Sequence, residues 1–131
     1  MIQTIIAGVG SCLPRRIMTN DDLAKLVDTS DAWITERTGI KARHIAADDE
    51  TTKSLAVEAC KRALAHANMD ASDIDLIILA TSTPDPPFPS TTTEVQDTMG
   101  KPQCAPCDAP AVTAGCMFAL VHRIGLRTTG Q

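Results

Sequence analysis

Leu76 to Ala80 reads LIILA, five apolar residues in succession, and this run limits the possible folds more than any other stretch of the chain. It is too short for a buried helix and offers no polar face to water, so it predicts a strand covered on both sides. A strand of that kind belongs in a mostly parallel sheet with helices packed on either face, which places the chain in the α/β class. Only Trp33, Phe88 and Phe118 are aromatic among the 131 residues. The core is therefore left to Ala, Ile, Leu, Val and Met, which let elements approach closely.

Thr52 to Ala67 supplies one such helix, because Leu55, Ala56, Ala59, Ala63, Leu64 and Ala67 recur every three or four residues. Ile2 to Val9, IQTIIAGV, predicts a first buried strand closed by Gly8, Gly10 and Pro14. After it, Thr19-Asn20-Asp21-Asp22 places capping side chains and negative charge ahead of Leu23, Leu26 and Val27, predicting a helix with one apolar face. Ser30 or Asp31 caps a second short helix that carries Trp33, Ile34 and Arg37 and stops at Gly39. Ile40 to Ala46 alternates apolar and basic residues as a half-exposed strand does, with Lys41, Arg43 and, as a further candidate, His44 facing water. Asp48-Asp49-Glu50 then makes a turn.

Thr81 to Pro89, TSTPDPPFP, contains four prolines and reads as a loop at the carboxyl end of the LIILA strand, where α/β proteins commonly build sites. Ser90 with Thr93, or Thr91 with Glu94, caps a helix that runs through Met99 and stops at Gly100. Beyond it the charge thins: the first 100 residues hold nine basic and fifteen acidic side chains, the last 31 three and one. Ala109 to Leu120 suits a buried strand-to-helix turn, whereas Pro106 and Pro110 disfavour a central strand there.

A net charge of −4 lacks the basic excess that phosphate backbones require, which argues against nucleic acid as a partner. No apolar run approaches the roughly 18 residues of a membrane span. The Ile-rich start reads as a strand rather than a charged leader, so the expected location is the cytoplasm. In that compartment the five cysteines, Cys12, Cys60, Cys104, Cys107 and Cys116, are expected as thiols. Cys104 and Cys107 have CxxC spacing, yet no second pair completes a zinc site, and His44, His66 and His122 show no zinc-like spacing. Incidental thiols are the default reading, with metal binding or thiol redox as weaker alternatives, and no metal is expected.

GVGSCLP (Gly8 to Pro14), TNDDL (Thr19 to Leu23), VDTSDAWITERTGIKARHIA (Val27 to Ala46), DIDLIILATSTPD (Asp73 to Asp85) and FPSTTTEVQ (Phe88 to Gln96) together resemble the amino-terminal half of β-ketoacyl-[acyl-carrier-protein] synthase III. That condensing-enzyme family lies within the thiolase-like superfamily. The resemblance covers most of residues 1–100 in the family's order and spacing. It implies an α/β, thiolase-like half-fold with a mixed, mostly parallel sheet between helices, residues 1–131 forming the amino-terminal part of one condensing-enzyme domain and 101–131 diverging. It also implies an acyltransferase of fatty-acid biosynthesis that condenses acyl-CoA with malonyl-acyl-carrier protein. Acyl-CoA is then substrate rather than cofactor, acyl-carrier protein a partner and a homodimer the expected assembly.

By the same resemblance, Thr29, Trp33 and Arg37 match positions that contact coenzyme A, with Trp33 stacking on the adenine and Arg37 at the nucleotide end. An indole offers a flat apolar face to a purine, and four-residue spacing puts Trp33 and Arg37 on one helix face. The plainer alternative has Trp33 filling a core hole and Arg37 solvated. Phe88 matches a position near the acyl pocket and the dimer interface, where its bulk would limit acyl length; anchoring the proline-rich loop is an equal alternative.

Family members acylate a cysteine at the amino end of a buried helix. Aligned through Asp108, Gly115, Phe118, Ala119 and Leu120, the tail DAPAVTAGCMFAL puts Thr113 at that position. A threonine hydroxyl is a far poorer nucleophile than a thiolate, so thioester exchange is expected to fail. Cys116 lies three residues on, about 4.5 Å along a helix axis, and does not restore the geometry. The family's decarboxylating His and Asn come from its carboxyl-terminal half, and none of the three histidines here matches them. The expectation is a chain that keeps its CoA contacts without condensing, or, alternatively, a non-catalytic CoA-binding or subunit-pairing half-domain.

Overall fold

The computed structural model describes residues 5–85, 88–100, 103–110 and 115. They group into two units, Leu13–Thr51 and a second built from Met1–Cys12 with Thr52–Gln131.

The Leu13–Thr51 unit contains a two-stranded antiparallel sheet, β1 (Arg16–Thr19) against β2 (Ala42–Ile45), with Arg16 opposite Ile45 and Thr19 opposite Ala42. Between the strands lie α1 (Asn20–Ala24) and α2 (Asp31–Thr38). The capping signals act as expected. Thr19 and Asp22 form a reciprocal capping box on α1, Ser30 rather than Asp31 caps α2, and Gly39 ends α2 at φ 71° with open space around it. The short α1 departs from expectation: Leu26 and Val27 lie beyond it in hydrogen-bonded turns and stay exposed. A five-residue helix has too few turns to carry an apolar stripe that far. The expected outward face of β2 is corrected at Arg43, which is half-buried and donates to the Asn20 side chain, while Lys41 and His44 are exposed.

Asp22 accepts from Lys25 at 2.8 Å and from the Thr19 hydroxyl at 2.7 Å, and these bonds lower its pKa from 3.8 to about 2. A carboxylate depressed on folding stabilises the folded state above its unfolded pKa and loses that contribution as pH falls toward the folded one. Asp22→Asn is therefore expected to flatten the acid limb of the stability profile between pH 3.8 and about 2. Urea titrations at a series of pH values, variant against parent, read this directly; parallel limbs would refute it.

In the other unit α3 (Thr52–Ala67) is followed by a 3₁₀ turn (Ala71–Asp73), β3 (Leu76–Ala80), α4 (Thr91–Thr98) and β4 (Ala105–Ala109). β3 and β4 pair in parallel, Leu76 opposite Ala105 and Ala80 opposite Ala109. α4 packs on both strands, and α3 packs on α4. The fold is thus α/β with short sheets: LIILA forms its strand in a parallel pair, half-buried at every position.

One expectation is overturned here. Ile5 to Val9 forms no strand among the described residues. Its segment instead lies along α3, where Val9 N–H donates to His66 Nδ1 at 3.1 Å and Arg62 donates to the Ser11 carbonyl at 2.8 Å. Gly8 and Gly10 permit this close approach, because a Cβ on either would run into α3 backbone at Ala63. Residues 105–109 form a strand at the edge of a two-stranded sheet, a position that tolerates Pro106 and leaves the expectation against a central strand standing. Ala105 N–H donates to the Asp75 carbonyl at 3.0 Å, so the alternation of the ladder turns residue 106 away from β3, where no N–H is needed.

Candidate functional site

Ser30 opens α2 by accepting from Trp33 N–H at 3.2 Å, and this fixes the first turn from which the indole projects. Trp33 is 53% exposed and so fills no core hole; Ile34, 7% exposed, takes the inward position beside it. One turn later the Arg37 guanidinium lies 4.7 Å from the Trp33 ring centroid, a cation–π contact that holds both groups on one helix face. Asp28, Thr29, Ser30 and Trp33 line a cleft of about 350 Å³ at the head of this helix. The Thr29 hydroxyl oxygen is buried there without a hydrogen-bond partner among the described residues. The cleft therefore offers a flat aromatic surface and an unmet hydroxyl beside the Asp28 carboxylate, while the positive charge of Arg37 is stacked on the indole.

A second cavity, about 260 Å³, lies at the carboxyl ends of β3 and β4, where the loop position predicted a site. Thr81, Ser82, Pro84, Ser90, Thr91 and Asp108 contribute to its wall. Thr92, at the start of α4, donates from both its backbone N–H and its hydroxyl to Asp108 Oδ1. Partial desolvation by its neighbours works to raise the Asp108 pKa, but hydrogen bonds from Ser90 and Thr92 outweigh it and hold the carboxyl below its ordinary value. Asp85 in the proline-rich loop accepts from Thr52 N–H at 2.8 Å and Lys53 N–H at 2.7 Å, and so caps α3 from a distance in sequence. Sequence reading missed that cap because nothing local to Asp85 marks its partner.

Of the expected site residues, the structure brings Thr29, Trp33 and Arg37 together. Phe88 belongs to the other unit, is 87% exposed and lines neither cleft. Thr113, Cys116 and Phe118 lie outside the described residues. Cys107 lies in β4 and Cys104, itself buried, immediately precedes it. Extended chain separates residues three apart by about 10 Å, beyond disulfide reach. Neither forms a disulfide, and no group of three or more His, Cys, Asp or Glu side chains among the described residues could hold a metal. No helix among the described residues is long and apolar enough to cross a membrane.

No family model matches the chain. Among curated proteins, β-ketoacyl-[acyl-carrier-protein] synthase III of Hyphomonas neptunium is 52% identical over 128 residues, covering 98% of this chain and 40% of that protein. The enzyme of the same name from Neisseria gonorrhoeae is 59% identical over 116 residues, 88% of this chain and 36% of its own length. The crystal structure of 3-oxoacyl-[acyl-carrier-protein] synthase III from Aquifex aeolicus superposes with a TM-score of 0.91 at 44% identity, covering 98% of this chain and 41% of that one. The Pseudomonas aeruginosa structure gives 0.83 at 38% identity, over 96% and 39%. The chain thus spans about 40% of the length of these relatives.

Proposed function

The chain belongs to the β-ketoacyl-[acyl-carrier-protein] synthase III family, matching its amino-terminal part, and on that premise we propose that it carries the coenzyme A-binding portion of a condensing enzyme of fatty-acid biosynthesis. Residues 1–131 are read as the amino-terminal part of one thiolase-like condensing domain. The reaction proposed for the whole enzyme moves the acyl group of acyl-CoA to an enzyme nucleophile, with CoA leaving as the thiol. Malonyl-acyl-carrier protein then loses carbon dioxide, and the resulting carbanion attacks the acyl carbonyl, forming the new carbon–carbon bond as the bond to the enzyme nucleophile breaks and that nucleophile is released. Acyl-CoA enters as substrate, so the reading calls for no resident cofactor. Acyl-carrier protein is the second partner, the cytoplasm the proposed location and a homodimer the proposed assembly. The 79% and 77% exposure of Ile5 and Ile6 supports self-association.

One observation carries the assignment of the ligand: the half-exposed Trp33 face, backed by Arg37 and bordered by the unmet Thr29 hydroxyl. The indole stacks on a purine, the guanidinium pairs with phosphate and the hydroxyl meets a polar ligand atom. Phe88, exposed in the proline-rich loop, is proposed to bound the acyl chain. Thr113, at the position aligned with the nucleophile, is proposed not to acylate, which favours the binding half of the reading over catalysis by this chain.

Trp33 is the single tryptophan, so its fluorescence reports this cleft alone. Coenzyme A is expected to quench it saturably, and pantetheine, which has no adenine, is not. Arg37→Ala should weaken CoA roughly 3–10-fold, as loss of a partly exposed cation contact does. Trp33→Ala, followed by calorimetry, should weaken it at least as much. Intact mass after incubation with acetyl-CoA is expected to show no acetyl adduct. CoA that leaves Trp33 emission unchanged would sink the assignment of the cleft, and an adduct on a single residue would sink the non-acylating part.

A further inference from the structure

Asn20 is the most deeply buried polar group of its unit, only 1% exposed, although it is the first residue of α1, a place where polar side chains ordinarily meet water. Its amide uses its donors and its acceptor. Nδ2 donates to Asp31 Oδ1 at 2.7 Å and to the Ile40 carbonyl at 2.8 Å, while Oδ1 accepts from Arg43 Nη2 at 2.7 Å. The partners fix the orientation of the amide, because the reverse would set its oxygen against a carboxylate and a carbonyl and its NH2 against a guanidinium. The backbone joins in, Asn20 N–H donating to the Lys41 carbonyl at 3.3 Å.

These partners have one thing in common. Asp31 is the first residue of α2 and Ile40 immediately follows its cap, Gly39, so a single amide nitrogen holds both ends of the helix that carries Trp33 and Arg37. Arg43 ties the same amide to β2. The hydrogen bond from Asn20 is also the largest influence holding the Asp31 carboxyl below its ordinary pKa, ahead of Lys41. We propose that Asn20 is a positioning residue that sets the pose of α2, and through it the Trp33–Arg37 face, for binding the adenine nucleotide portion of coenzyme A. The proposal rests on the CoA reading of that cleft. It adds a residue which touches no ligand and whose loss nonetheless weakens binding.

Asn20→Asp keeps the size of the side chain and an acceptor for Arg43, but replaces the two donors with an oxygen facing the Asp31 carboxylate and the Ile40 carbonyl. In the full chain, CoA affinity measured by Trp33 quenching is expected to fall at least 10-fold, at temperatures where circular dichroism shows the variant folded. The unliganded emission maximum of Trp33 should also shift, since that readout follows the pose of α2 without any ligand. The double variant Asn20→Asp/Asp31→Asn restores donor against acceptor between the two positions and should recover most of the lost affinity. General loss of stability would not be reversed by that exchange. If Asn20→Asp does not fold, Asp31→Ala against Lys41→Ala supplies the test: the first breaks the bond to Asn20 and should weaken CoA several-fold, the second removes only the 3.5 Å ion pair to Asp31 and should not.

A folded Asn20→Asp that binds CoA within threefold of the parent overturns the proposal, as does a double variant with no recovery, or Asp31→Ala binding like Lys41→Ala. Failure of the underlying CoA reading looks different: the parent itself does not respond to CoA, while the unliganded emission of Asn20→Asp still shifts.

Discussion

Gly10→Ala is expected to destabilise the unit that contains α3 by roughly 2–3 kcal/mol, the cost of forcing a methyl group into a packed contact, and to lower Tm by about 10 °C. The reason lies in what the methyl group would meet. Its nearest neighbours are the Ala59 carbonyl oxygen, the Ala63 nitrogen and the Arg62 carbonyl carbon, all of them backbone of α3. Helix backbone cannot rotate aside as a side chain can, so the 5–12 segment must lift. Lifting it strains the bonds from Val9 to His66 and from Arg62 to Ser11. Gly8→Ala meets the Ala63 carbonyl at 2.5 Å and the Ala67 methyl at 2.8 Å, so adding Ala67→Gly relieves only part of its cost. Gly39→Ala separates this steric effect from backbone strain. It has φ 71° with nothing within 4 Å, and should cost only about 1 kcal/mol for a left-handed alanine. Thermal melts of the three variants test the ranking. A Gly10→Ala protein melting within 2–3 °C of the parent, an interval equivalent to well under 1 kcal/mol, would show that the segment does not lie against α3.

Which parts of this fold the sequence declares follows from how local their causes are. α3 and β3 occupy the predicted residues because the Ala–Leu periodicity and the LIILA run are properties of the segments themselves. The caps at Thr19, Ser30 and Ser90 are legible for the same reason. What escapes the sequence depends on a partner far along the chain. The alanine stripe of α3 was visible, but not that it would receive Gly8 and Gly10 instead of a strand. β1, which starts two residues after Pro14, exists only through pairing with β2 some 26 positions on. Asn20 has the composition of a cap, and only the return of Ile40 and Arg43 makes it a buried hub. The candidate site divides in the same way: Trp33 and Arg37 meet through four-residue helical spacing, while the burial of the Thr29 hydroxyl is set by tertiary structure.

Asp108→Ala is expected to cost roughly 2–3 kcal/mol, on the scale of hydrogen bonds made to an ionised group. The carboxylate is exposed, yet its partner Thr92 is fully buried, and both the N–H and the hydroxyl of Thr92 are aimed at it. Ser90 adds a further hydrogen bond, and the negative charge lies at the amino end of α4, where the helix dipole favours it. Water entering the vacated position recovers some of this loss, which keeps the cost below the sum of the separate bonds. Asp108→Asn, which retains one acceptor oxygen, should cost about half as much. The pH dependence follows from the depressed pKa: stabilisation by Asp108 is present above the ordinary carboxylate range and is lost as pH falls through the lower folded value. The parent should therefore lose stability on acidification more steeply than Asp108→Ala, with the two curves converging at the acid end. Because Asp108 ties β4 to the start of α4 beside the 260 Å³ cavity, amide exchange at Thr92 and Thr93 should accelerate in Asp108→Ala while α2 is unaffected. Unchanged protection at Thr92 would mean that Asp108 does not hold the head of α4, and that some other group orders this wall of the cavity.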